Sequence, residues 1–547
     1  MNASELLVKC LENEGVEYIF GLPGEETLYF TQALSESKKI KFITVRHEQG
    51  AAFMADVYGR LTGKAGVCLG TLGPGATNLV TGIADAQLDA APVVAITGQG
   101  SLSRGHKESH QFIDIVKMFE PITKWNTSIV SPNSIPEIVR KAFKIAQSER
   151  PGATHIELPE DVSEAEAFSE PLPVTKTYYS HPQETDLRTA VELISKAKTP
   201  IVLIGNGVIR NKASQQLRKF IEINQLPVVN TYMSKGVVPN DYELNLFTIG
   251  MLHSKDYALC AVAESDLIIA IGYDLVESPP EKFNATCGKK ILHMNTLSAE
   301  VDNCYLPELE IIADIKETLE RLSTVRITQN DTTYAKTMKE VLKEKLHQKC
   351  KDPNFPIKPQ RIISDLRTCT SDSDIVLSDV GSHKLWVARQ YFTNEPNTVL
   401  ISNGLASMGF ALPGAIAAKL ACPDKKVIVV CGDGGFLMNV QELETAKRLG
   451  LSFVVIIFDD GMYGAITTRQ QKKWNNQFGS TFTNPDFVKL AESFGCHGYK
   501  ITKTEELKPT IEKALNSEGI HIIDVPVDYS ENLTLAEELS VNVCPIR

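Results

Sequence analysis

Two aspartates, Asp433 and Asp460, each close an apolar run, and their types and spacing suit a shared divalent cation. The stretch from Val427 to Met462 reads VIVVCGDGGFLMNVQELETAKRLGLSFVVIIFDDGM. Val427–Val430 enters the turn Gly432-Asp433-Gly434, a helix-like charged segment follows, and Leu451–Phe458 runs into Asp459-Asp460. This order predicts a βαβ unit with a carboxylate at each strand end. Neighbouring parallel strands end on the same side of a sheet, so the two acids converge although 26 residues lie between them. Hard carboxylate oxygens suit Mg²⁺, which keeps waters and completes its shell with phosphate oxygens. Gly432 and Gly434 let a phosphate approach backbone N–H groups. Taken alone, Gly-Asp-Gly also fits a plain strand-turn-helix connection; the acid pair at the second strand end favours a site.

Other strand ends carry further candidates. Arg46-His47-Glu48-Gln49-Gly50 follows Phe42–Val45, which puts an acid at the start of a helix; a solvent-facing glutamate favouring the helix dipole is the alternative. Gly70-Thr71-Leu72-Gly73-Pro74-Gly75 is a strand running into a Gly/Pro turn and a helix, with exposed N–H groups open to an anion. Ser378-Asp379-Val380-Gly381-Ser382-His383 ends another strand, and Gly381 and Ser382 suit phosphate contacts. Trp386 reads as core rather than as a cofactor contact. Gly205-Asn206-Gly207 begins like a dinucleotide turn but lacks the third glycine, and reads as packing.

The elements behind these ends form three blocks of alternating strand and helix, the rhythm of an α/β fold made of three consecutive doubly wound parallel-sheet domains. The first block runs to about Val162, with strands at Glu17–Phe20, Phe42–Val45, Ala65–Thr71 and Pro92–Thr97. A polar, Pro-containing linker spans Phe168–Thr185. The second block has strands at Pro200–Gly205, Leu226–Val229 and Asp266–Ile271, and the chain turns charged, helical and linker-like from Val325 to Pro359. The third block has Asp374–Leu377, Thr398–Ile401, Val427–Val430, Leu451–Phe458 and His521–Val525. The expected domains are 1–167, 186–325 and 360–547.

Composition sets the outer limits. The 547 residues are 43% hydrophobic and 22% charged, ordinary for a globular protein. A net charge of −11 without a basic block argues against nucleic acid and anionic membrane. Neither a signal-peptide pattern nor a transmembrane run is expected. Eleven cysteines without a CxxC pair point to free thiols in a reducing cytoplasm.

Taken together, Glu48 in RHEQGAAFMADVYGR, the GTLGPGATN turn and GDGG…DD resemble the thiamine-diphosphate-dependent enzymes of the acetolactate synthase and pyruvate oxidase group. The resemblance covers nearly the whole chain. It implies an N-terminal pyrimidine-binding domain, a central domain and a C-terminal diphosphate-binding domain. It also implies Mg²⁺ held by the side chains of Asp433 and Asp460 and the carbonyl of Met462. The cofactor would lie against Gly73, Gly381, Ser382, His383, Gly432, Gly434, Gly435 and Tyr463, with Met408 in SNGLASMGFALPGA holding it bent; Met408 alone also fits core filler. Glu48 aligns with the glutamate that activates the cofactor's aminopyrimidine. In this family that glutamate and the diphosphate site belong to different subunits, which implies a homodimer or homotetramer. Asp459 stands where the family usually has Asn.

Lys107-Glu108-Ser109-His110-Gln111, Ile271-Gly272-Tyr273-Asp274, Val276-Glu277 and Ile522–Ser530 resemble the flavin-independent, catabolic-type acetolactate synthases. That likeness implies two pyruvates joined to 2-acetolactate with loss of CO₂, Gln111 at the substrate site, His110 as a substrate contact or else a packed or solvent-facing residue, and argues against FAD. Met251-Leu252-His253 keeps some likeness to the flavin type, and Glu25-Glu26 stands where the catabolic type has Lys after GxPG. Another 2-oxo acid decarboxylase or a pyruvate oxidase is the alternative, but no His-His pair is present to protonate like a simple decarboxylase. A non-catalytic thiamine-binding regulator would not need Glu48.

Overall fold

The computed structural model describes residues 1–175, 177–249, 257–324, 326–327 and 331–541. Met251-Leu252-His253 therefore lies outside the described residues.

Three six-stranded parallel sheets follow one another along the chain. The first has β1 (Tyr18–Gly21), β2 (Lys41–Thr44), β3 (Gly66–Gly70), β4 (Val93–Gln99), β5 (Trp125–Ser128) and β6 (Ala153–Pro159) in the order β2-β1-β3-β4-β6-β5. The second has β7 (Pro200–Ile204), β8 (Val228–Asn230), β9 (Asn245–Thr248), β10 (Leu267–Ile271), β11 (Lys290–Asn295) and β12 (Leu309–Ile312) in the order β12-β11-β10-β7-β8-β9. The third has β13 (Ile375–Ser378), β14 (Val399–Ile401), β15 (Val427–Gly432), β16 (Phe453–Asp459), β17 (His497–Lys500) and β18 (Ile520–Pro526) in the order β14-β13-β15-β16-β18-β17. The doubly wound α/β expectation holds in all three. Strands buried on both faces read as continuous apolar runs, which is why β15 and β16 stood out in the sequence.

Near the middle of each sheet the strand order reverses, between β1 and β3, between β7 and β10, and between β13 and β15. Crevices at such reversals are where open α/β sheets take ligands. The first and third sheets also share one core. Helix Glu48–Thr62 packs on helix Ala411–Ala421, with Phe53 and Phe410 edge to face at 5.7 Å. Alanines and Gly414 allow the approach: a Cβ on Gly414 would come within 2.9 Å of Val57 Cγ2.

One expectation is corrected. Cys287 and Cys304 form a disulfide, since the turn after Asn284 brings Cys287 beside the Asp302–Tyr305 bridge. Cys10, Cys68, Cys431 and Cys496 remain buried thiols. Among the described residues no helix is long and apolar enough to cross a membrane.

Candidate functional site

The crevice between β13 and β15 opens into a cavity of about 340 Å³ lined by Gly381, Ser382, His383, Met408, Gly432, Asp433, Gly434, Gly435, Asp460, Met462 and Tyr463. The C-terminal candidates named from the sequence therefore meet in one place. Parallel register pairs Gly432 with Phe458, so Asp433 and Asp460 follow adjacent strand ends.

The two acids have different surroundings. Asp433 is well supplied with donors, with room left on Oδ1: Gly434 N–H donates to Oδ1 at 2.7 Å, and Gly461 N–H and Asn484 Nδ2 donate to Oδ2, both at 2.7 Å. Asp460 Oδ2 is buried with no hydrogen-bond partner. Burial, with the Asp433 charge second, pushes the Asp460 carboxyl up to about 7. Burial also raises Asp433, against the pull of its donors. A Cβ on Gly464 would lie 3.0 Å from Asp460 Oδ2 and 2.8 Å from Ser382 Oγ, so acid and hydroxyl face one small space. Such a pair accepts a divalent cation, which would offset both charges. Among the described residues no three His, Cys, Asp or Glu side chains gather as a metal group. Two carboxylates and a carbonyl leave positions for water and phosphate oxygens, the coordination Mg²⁺ favours.

The diphosphate end has its own supports. Helix Ser382–Gln390 starts at Gly381, turning its free N–H groups toward the cavity. Ser382 Oγ accepts from Asn532 Nδ2 at 3.0 Å, and Asn532 Oδ1 accepts from Trp386 Nε1 at 2.8 Å. Trp386 is thus a core residue that orients the hydroxyl at second hand. His383 is buried with Nε2 unpartnered, and burial pushes it down to about 3, so it is a neutral imidazole with a spare polar atom. The donors and acceptors present fit a metal diphosphate.

Asp459 has an account here. Its Oδ1 accepts from Asn484 Nδ2 at 2.8 Å, and its Oδ2 lies 3.6 Å from Lys500 Nζ, which also holds Asp524 at 2.6 Å. The added charge faces Lys500, and Asn484 bridges it to Asp433. Asn484 and Asn532 escaped the sequence reading, since each comes from a loop or terminal helix without an apolar run to flag it; Tyr529, which lines the cavity, was singled out only within the Ile522–Ser530 likeness and not as a site residue.

The N-terminal candidates sit at the first sheet's reversal, away from this cavity, which none of them lines. Glu48 opens helix Glu48–Thr62, is 6% exposed and accepts from Asn78 Nδ2 at 2.9 Å. Gly73 has φ +52°, a conformation suited to glycine, and a Cβ there would come within 2.8 Å of the Gln111 carbonyl. Gln111 and His110 are exposed. Glu26 accepts from Thr71 Oγ1 at 2.9 Å, so that departure faces the GTLGPG turn.

At the central sheet's reversal the Asn206 N–H donates to both oxygens of Glu277 at 3.0 Å, and Thr231 Oγ1 donates to the same carboxylate. Arg210 spans Glu149 at 3.1 Å and Asp274 at 3.0 Å. The chain's own carboxylate thus takes the amide that a dinucleotide's phosphate would seek.

Comparison with known proteins agrees with this arrangement. Residues 1–118 match the N-terminal thiamine pyrophosphate (TPP) binding domain of thiamine pyrophosphate enzymes, 187–322 their central domain, and 379–525 their C-terminal TPP binding domain. The chain is 37% identical to an acetolactate synthase of Bacillus subtilis, over 98% of this chain and 95% of that protein. It is 38% identical to a probable acetolactate synthase large subunit of Methanocaldococcus jannaschii, covering 100% and 96% of the two. It is 34% identical to a catabolic acetolactate synthase of Raoultella terrigena, covering 99% and 98%.

Proposed function

The chain belongs to the acetolactate synthase family of thiamine pyrophosphate enzymes, and from that membership we propose how its own residues run the reaction. The activity is decarboxylation of pyruvate and condensation with a second pyruvate, giving 2-acetolactate and CO₂. The observation that carries this reading is the unpartnered Asp460 Oδ2 facing Ser382 across the β13/β15 crevice. Asp433, Asp460 and the Met462 carbonyl would hold Mg²⁺. Gly381, Ser382 and His383, with Gly432, Gly434, Gly435 and Tyr463, would cradle the diphosphate, and Met408 would support the bend. Thiamine diphosphate, when bound, supplies the carbon nucleophile and the electron sink for loss of CO₂.

Glu48 would be the proton-handling group, hydrogen-bonding the aminopyrimidine nitrogen that must gain a proton. Gly73 lies on the same face, and Gln111 beside it orients the second pyruvate's carbonyl. Glu48 is absent from the walls of the cavity that holds Asp460, and this supports a site completed by a second copy, in a homodimer or homotetramer. The domains are 1–167, 186–325 and 360–547. Glu277, whose carboxylate takes the Asn206 amide at the central crevice, supports an enzyme that works without FAD. The buried thiols Cys10, Cys68 and Cys431 favour work in the cytoplasm, against which the Cys287–Cys304 disulfide stands.

The test is direct. Purified protein given thiamine diphosphate, Mg²⁺ and pyruvate forms 2-acetolactate, which acid converts to acetoin for assay. Acetaldehyde as the main product would replace this reading with that of a simple decarboxylase. A flavin absorbance spectrum in the pure protein would remove the FAD-free part.

A further inference from the structure

Residues Ser402–Gly409 run from β14 to helix Ala411–Ala421 and carry Met408 into the cofactor cavity. Little regular structure holds this segment, yet the amides of Asn403, Gly404, Ser407 and Gly409 donate to side chains. At its far end Asp379 Oδ2 accepts from Gly409 N–H at 3.0 Å and Oδ1 from Phe410 N–H at 3.3 Å, while Asn439 Nδ2 donates to the Gly409 carbonyl at 2.7 Å. At its near end the partners come from the other end of the chain. Asp89 accepts from Asn403 N–H at 2.8 Å and from Gly404 N–H at 2.5 Å. Ser402 Oγ donates to Asp85 Oδ1 at 2.6 Å and accepts from Ser407 N–H at 2.9 Å. Arg60 Nη2 donates to Asp89 at 2.6 Å and Nη1 to the Ile401 carbonyl at 2.9 Å, while Nε pairs with Asp56 at 2.7 Å. Lys384 Nζ donates to the Ser402 carbonyl at 2.8 Å.

We propose that Asp85 and Asp89, together with Ser402, are positioning residues that set Met408, and through it the conformation in which the cofactor is held. This rests on the reading of Met408 as the cofactor's support. The energetics favour a placing role. Asp56, Asp85 and Ser402 are fully buried, and three buried carboxylates around one arginine are a costly way to fill a core. An apolar cluster of equal volume would pack as well but could not accept from the Asn403 and Gly404 amides or hold the Ser402 hydroxyl against Ser407. All the charges that face Asp85 come from three helices: Asp56 and Arg60 from Glu48–Thr62, Asp89 from the end of its own, and Lys384 from Ser382–Gln390. Burial first, then Asp89 and Asp56, raise the Asp85 carboxyl well above the usual carboxylate range, and an asparagine here keeps the Oδ1 acceptor that the Ser402 hydroxyl uses.

The experiment compares S402A, D85A and D85N with the wild type. Hydrogen exchange is read first on the cofactor-free protein, and kcat and KM with cofactor and pyruvate second. In S402A and D85A the Ser407 amide exchanges about tenfold faster, the circular-dichroism band of bound cofactor weakens, and kcat falls about tenfold with the pyruvate KM unchanged. D85N restores all three. Variants S402A and D85A that only melt at lower temperature, with wild-type exchange at Ser407 and wild-type kcat, overturn the proposal. Wild-type protein that makes no acetolactate counts against the functional reading instead, while the exchange rates still decide the positioning role.

Discussion

Asn484 is the residue on which the metal site's charge balance turns. One amide nitrogen serves Asp433 at 2.7 Å and Asp459 at 2.8 Å, and the second carboxylate is also drawn to Lys500. Asp459 would therefore bear on a cation held by Asp433 and Asp460 through Asn484 rather than by contact. The variant D459N keeps an acceptor toward Asn484 and loses only a charge that Lys500 already offsets, so its Mg²⁺ affinity stays within about threefold of wild type. N484A leaves Asp433 Oδ2 without its side-chain donor and two acids facing each other, and its Mg²⁺ affinity falls about tenfold. Calorimetric titration of Mg²⁺ in the presence of thiamine diphosphate separates the two. Equal losses in both variants would mean that Asp459 reaches the metal directly. None of this was legible in the sequence, where Asp459 stood only as a departure from Asn and Asn484 as one letter in a loop.

At the scale of elements, the reversals carry the argument, and they were readable where strands are apolar and end in glycine. β13, β15 and β16 announced themselves as buried β-branched runs. β6 did not, although it is buried throughout, because it contains Thr154, His155 and Glu157. Across the sheet Thr97 Oγ1 meets His155 Nε2 at 2.8 Å and Gln99 Nε2 donates to Glu157 at 3.0 Å, while His155 Nδ1 is buried without a partner. β17 and β12 escaped because an edge strand shows solvent on its free side and loses the apolar signature. The join between the central and C-terminal sheets depends on Lys235, a residue no pattern marks. Its Nζ is buried, donating to the Ala388 carbonyl at 2.8 Å and to Thr248 Oγ1 at 3.3 Å, and burial pushes it down to about 7. The unfolded chain keeps this proton up to 10.5 while the folded chain releases it near 7, so stability rises with pH between those values. K235M removes that slope. Denaturant melts of both proteins from pH 6 to 9 show the wild type gaining on the variant above pH 7, by at most about 1.4 kcal/mol per pH unit. A difference that stays flat with pH would show that Lys235 remains charged in the fold.

At the scale of the whole molecule, helix Glu48–Thr62 joins functions that belong to two sites. It starts at Glu48 and, about 18 Å along the axis, reaches Arg60, which braces Asp89 and the segment leading to Met408. Met408 faces the cavity of Asp460 in the same chain, and Glu48 does not line that cavity. If a second copy supplies Glu48, one helix serves its own chain's cavity at one end and the partner's at the other. Complementation tests this connectivity without a structure of the assembly. E48Q and D460N are each expected to lose at least about a hundredfold in turnover as pure proteins. Co-expressed with different tags and purified through both, the mixed dimer holds one site with both lesions and one with neither. Its activity is about half that of the wild type. Were Glu48 and Asp460 of one chain to serve the same site, every site of the mixed species would carry one lesion and no activity would return. Recovery thus measures chain connectivity, and its absence, with mixed dimers shown by both tags, would place the whole site within a single chain.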